Sequence, residues 1–155
     1  MSSASYRVGV LSYQIIGGVC TLFFLACSVG AFMASQYPPI VIFGFFVLMG
    51  AYMLLSAGRY ELTDDAVHHR SPLGHFRMRW NEIARVEVGT QGSLVLHGAN
   101  KRFTLPPVAF WSGKQKPGAF ELLKHKLGAL SVPTYPSNTG DYKIHKNVRV
   151  RAGEA

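Results

Sequence analysis

Between Arg7 and Arg59 the chain carries no Asp, Glu, Lys or Arg, and no acidic residue occurs before Glu61. So long an uncharged run excludes an ordinary water-facing surface for this part of the protein. Cysteine is scarce too: Cys20 and Cys27 are the only two, and both lie inside the run. Seven residues apart on one helix they cannot bridge each other, so they read as small apolar residues rather than as a disulfide framework. With no charged side chain inside the run, an ion path or proton relay has no carrier, and a transporter is not expected.

The missing charge is concentrated further on. Fifteen of the sixteen Lys/Arg residues and all eight Asp/Glu residues lie from Arg59 onward, a balance of 15 − 8 = +7. A chain divided in this way reads as a membrane segment joined to a basic, water-facing segment. The uncharged run holds two apolar spans, at about 8–34 and about 40–57, separated by Ser-Gln-Tyr-Pro-Pro at 35–39. A helix needs about 20 apolar residues to cross the ~30 Å hydrocarbon core, and both spans approach or exceed that length. The two prolines end a helix, so the expected arrangement is a hairpin of two helices within residues 1–58. The first span is too long for the apolar region of a signal peptide, and a second follows at once. Arg7 precedes the pair, Arg59 follows it, and the connecting turn has no charge. The positive-inside tendency then places both termini in the cytoplasm, with the protein in the inner membrane. Ala26, Gly30 and Ala34 recur every four residues, a small-residue stripe at which another helix can approach closely. Either the second span or another membrane protein would fill it.

From Arg59 the apolar period changes to two. RYELT (59–63), AVHHR (66–70), HFRMRW (75–80), IARVEV (83–88), SLVLH (93–97) and KRFTL (101–105) are separated by Asp, Gly, Asn and Pro turn signals. Six short strands of this kind predict an antiparallel meander. Alternation in HFRMRW predicts Phe76, Met78 and Trp80 inward, with His75, Arg77 and Arg79 outward. After Pro106-Pro107 the segment 117–130 sets Phe120, Leu123, Leu127 and Leu130 on one helical face, and Pro117 suits its first turn. This predicts a helix that plugs a strongly bent sheet. Residues 131–155 read as a basic, irregular tail in which Tyr142, Ile144, Val148 and Val150 alternate with Lys143, His145, Arg149 and Arg151, with a phase slip near Lys146-Asn147. Such a tail is either disordered or a strap that forms on docking to a partner, by addition to a sheet edge or along a membrane complex.

The layout resembles the bacterial PH-like domain family over residues 59–130. The resemblance rests on Tyr60-Glu61-Leu62-Thr63 with its following Asp64-Asp65 turn, on Arg70, and on Trp80-Asn81-Glu82-Ile83-Ala84-Arg85-Val86. It implies a membrane α-helical hairpin plus an α+β domain, a small antiparallel PH-like β-barrel or sandwich capped by a C-terminal α-helix. It carries over no catalytic residue.

Chemistry-bearing motifs are sparse. No HExxH, CxxC or G-x-S-x-G occurs, and His68 and His69, adjacent on a strand, point to opposite faces. No cofactor, metal or enzymatic activity is expected. The basic residues Arg70, Arg77, Arg79, Lys101 and Arg102 are the functional signal, as a face for lipid or a protein partner, unless they merely form a solvated surface. Phe110 and Trp111, near Lys114 and Lys116, either anchor in a membrane interface or cover the mouth of the barrel. Nucleic acid is not expected as a partner, because in HFRMRW the cations and aromatics fall on opposite faces. The expectation is an accessory or assembly subunit, or adaptor, of a membrane protein complex. The alternative is a module that binds anionic lipid headgroups at the inner leaflet.

Overall fold

In the computed structural model, which describes residues 5–89, 91–136 and 145–151, the chain forms two units. One is Leu11–Ala57, and the other gathers the chain up to Val10 with everything from Gly58 on.

The helical unit consists of α1 (Leu11–Met33) and α2 (Tyr37–Ser56). At 1.5 Å per residue they are about 35 and about 30 Å long. Both are long and apolar enough to cross a membrane. The turn is shorter than expected. Ser35 takes a positive φ of 54° and the Gln36 N–H closes back onto the Ala31 carbonyl at 2.9 Å. Pro38 and Pro39 lie in the first turn of α2, where their missing N–H groups would have no helical partner anyway. The first span is also shorter at its start, because residues 8–10 do not belong to the helix.

The two helices touch through glycines that the small-residue stripe does not include. A Cβ on Gly50 would stand 2.7 Å from Thr21 Oγ1, and one on Gly17 would stand 2.8 Å from the Leu54 nitrogen. Phe24 stacks on Phe46 at 4.6 Å just beyond this crossing. Ala26, Gly30 and Ala34 are exposed, and a Cβ on Gly30 would meet nothing within 4 Å. At Gly30, therefore, the stripe does not pack against α2.

The second unit holds β1 (Ser5–Gly9), β2 (Arg59–Thr63), β3 (Ala66–Ser71), β4 (Gly74–Arg79), β5 (Arg85–Val88), β6 (Leu94–His97), β7 (Arg102–Leu105), α3 (Lys116–Ala129) and β8 (Thr134–Pro136). The expected six strands are present within a residue or two of their predicted bounds, but they form two sheets rather than one meander. One has the order β1-β2-β3-β4 and is antiparallel throughout; the other is β7-β6-β5-β8, with β8 parallel to β5. The break falls at a 3₁₀ turn over Trp80–Glu82. There the buried Trp80 donates its indole N–H to the Thr63 carbonyl at 2.8 Å, while Glu82 accepts the Arg79 backbone N–H at 3.0 Å. HFRMRW thus lies at a sheet edge, and its Trp belongs to the turn.

The sheets share their apolar residues. Leu62, Val67, Met78, Val86, Leu96, Phe103 and Leu105 are fully buried, and Tyr60 meets Phe103 edge to face across the two sheets. Helix α3 lies against β1, where Gly118 passes so close to the Tyr6 ring that a Cβ would clash. That contact rotates the helix away from the predicted face. Ala119 and Leu123 are buried, while Phe120 and Leu130 are left 36% and 44% exposed.

Candidate functional site

β4 is an edge strand of its sheet and β7 is an edge strand of the other. Residues 145–151, the C-terminal strap, join these edges. The Lys146 and Arg102 backbones exchange two hydrogen bonds, at 2.8 and 3.0 Å, on β7. Asn147 then turns with φ 55°, at the phase slip seen in the sequence, and donates its side-chain amide to the Asn100 carbonyl at 2.8 Å. Beyond it the Arg77 N–H donates to the Val148 carbonyl at 2.7 Å, and the Val150 N–H to the His75 carbonyl at 2.8 Å. Residues 145–151 do add to sheet edges, but to the domain's own edges and not to those of a partner. Tyr142, Lys143 and Ile144 lie outside the described residues.

Beneath the strap its first residue enters the core. The Thr104 backbone N–H donates to His145 Nδ1 at 3.1 Å, so the imidazole proton sits on Nε2, which meets His69 Nδ1 at 2.9 Å. Phe76 and Phe103 flank the His145 ring at 4.7 and 4.4 Å. Burial, with His69 as a lesser cause, pushes His145 down from its ordinary range to about 3, so the ring is neutral when docked. His68 points the other way and stacks on His75, with the ring nitrogens 3.2 Å apart. Burial foremost, then Arg77 and His75, lowers the His68 pKa; burial, then Arg70 and Arg77, does the same for His75.

The strap and β4 enclose a groove of about 490 Å³. Arg77, Arg79, Lys101 and Arg149 line it, with Glu82 the one acid among the described residues that line it. Glu82 is already engaged, by the Lys101 ammonium through one oxygen and by the Arg79 N–H through the other, and these contacts hold its pKa down despite partial burial. Arg149 donates to the Leu73 carbonyl at 3.2 Å. Arg77 is half-buried and its Nε has no hydrogen-bond partner. Across the sheet Arg77 faces His68, and Arg79 faces Ala66, so neither has a cross-strand carboxylate.

Of the residues flagged from sequence, the structure brings Arg77, Arg79 and Lys101 to this groove and leaves two apart. Arg70 stands opposite His75 and Arg59 on the sheet, and Arg102 pairs with His97 and the strap. Arg149 was missed as a site residue, since nothing local links it to residues some seventy positions earlier. The Phe110-Trp111 pair is split. Trp111 is buried with its indole N–H on the Pro106 carbonyl at 3.0 Å, so it is a core residue and not an interfacial anchor, whereas Phe110 is 42% exposed. Among the described residues no three His, Cys, Asp or Glu side chains gather in a way that would hold a metal ion. The chain matches no protein-family model, no curated protein and no solved structure.

Proposed function

We propose that this is a non-enzymatic integral membrane protein whose helical hairpin carries a PH-like interaction module on the cytoplasmic side. In this reading it serves as an accessory or adaptor subunit of a membrane protein complex. One observation carries it: the hairpin leaves its apolar surface unused. Leu22, Phe32, Val41 and Leu48 are each more than 65% exposed, and the Ala26–Gly30–Ala34 stripe is exposed, with open space at Gly30. Lipid satisfies the large side chains, whereas a stripe of small residues gains most from a second helix that packs closely against it. The β domain adds edges and a basic groove, and among its described residues no constellation of catalytic groups.

Affinity purification of the tagged full chain in mild detergent tests this. A defined integral membrane partner should co-purify. Gly30→Leu should release it, and Gly18→Leu, which also fills open space, should retain it. Recovery of the chain alone, or equal loss from both variants, would remove the stripe from the argument.

A further inference from the structure

We propose that the groove between β4 and the C-terminal strap binds an oxyanion of the phosphate class, held by Arg77, Arg79, Lys101 and Arg149, and that the bound anion fastens the strap to β4. The inference is independent of the membrane-partner reading. Four cations converge on one groove, and Glu82, the one acid among its described lining residues, is spent on Lys101 and a backbone N–H. Like charges crowded at a sheet edge with no carboxylate opposite are unfavourable by themselves. Arg77 lines the groove beside Arg79 and lies opposite His68 rather than a carboxylate. The neighbouring His68 and His75, whose charged forms are disfavoured by burial and then by Arg70 and Arg77, report the same positive field on that sheet face.

Guanidinium groups suit a phosphate because their planar N–H forks match its oxygens in pairs, and the ammonium of Lys101 adds a point charge. A volume of about 490 Å³ admits a phosphorylated headgroup or a small phosphorylated solute, with room for water. The groove has two walls of different origin. Arg77 and Arg79 sit on β4, Arg149 on the strap, and the strap is held here by the two hydrogen bonds to Arg77 and His75. An anion that bridges both walls therefore adds contacts that vanish when the strap leaves. Binding and docking are linked, each favouring the other.

The test uses the full chain in neutral phosphatidylcholine nanodiscs and reads hydrogen exchange at the Arg77 and Val150 amides. Inositol hexakisphosphate is the soluble probe, and discs containing phosphatidylglycerol supply the lipid source. Either arm should slow exchange at these two amides. Protection by the soluble probe in neutral discs identifies a solute site, and protection only in anionic discs identifies a headgroup site. Arg79→Gln and Arg149→Gln, both at exposed positions, should each weaken the effect about fivefold, the equivalent of ~1 kcal/mol per basic residue. Lys114→Gln, an exposed cation outside the groove, should leave it unchanged. Absence of protection in both arms, or equal protection in the wild type and the two arginine variants, overturns the proposal.

Discussion

The two units of this protein bury themselves by opposite means. Within α1 and α2 only Gly17 and Gly50 are buried, at the point where the two backbones cross, and the large side chains face outward. In the β domain the large side chains are the buried ones, and the backbone edges are the parts that need closure. The hairpin's contact therefore depends on what is absent at two glycines. The domain depends on volume, and on a strap that joins two open edges.

The contrast is broken most severely at Phe103, whose side chain is fully buried between the sheets. Phe103→Ala should destabilise the β domain by about 3–5 kcal/mol. Leu48→Ala, at a hairpin position 71% exposed, should change little; thermal unfolding in detergent compares the two.

Acid should come next. Docked His145 titrates near 3, whereas a released strap returns it to the ordinary value of about 6.5. The released state therefore binds the proton more readily, and docking weakens as pH falls from about 6.5 toward 3. At pH 4.5 the loss should be about 3 kcal/mol, read as faster exchange of the Lys146 and Val150 amides. His145→Gln should flatten this dependence in the strap. The remaining acid sensitivity from His68 and His75, which are also shifted downward, would belong to the sheet face.

The glycine crossing is the third place to press. Gly50→Ala sets a methyl against Thr21, at a cost of about 1–3 kcal/mol to hairpin stability. Gly30→Ala, in open space, should cost nothing measurable in the isolated chain. Cross-linking between cysteines placed on α1 and α2 would register the difference. The smallest effect should come from the exposed Lys124–Glu121 pair on α3, 3.7 Å apart. Lys124→Ala should shift stability by no more than about 0.5 kcal/mol.

Much of the fold was legible because it is local. Period-two alternation located β2 to β7, and the uncharged run located both helices. What escaped was set by distant partners. Ser5–Gly9 looks like a lead-in to the first span, and only pairing with Arg59–Thr63 makes it a strand. Thr134–Pro136 becomes a strand only beside β5. The same limit applies to the groove. Arg77, Arg79 and Lys101 lie on or beside recognisable strands, whereas Arg149 reaches them through a strap whose docking no local pattern encodes. Adjacent aromatics at 110 and 111 carried no sign of which would be buried; the Pro106 carbonyl decides it.

The pairing of β1 with β2 has a consequence for how the protein is made. Its five paired positions, from Ser5–Thr63 to Gly9–Arg59, join the residues immediately before α1 to those immediately after α2. During synthesis β1 emerges first and has to wait, unpaired, until the whole hairpin has been made. If the hairpin enters a bilayer, a chain that threads only one span leaves β1 and β2 on opposite sides, and this edge of the sheet cannot assemble. Completion of the sheet would thus report correct insertion, and a chain lacking it would present an unfinished edge to quality-control proteases.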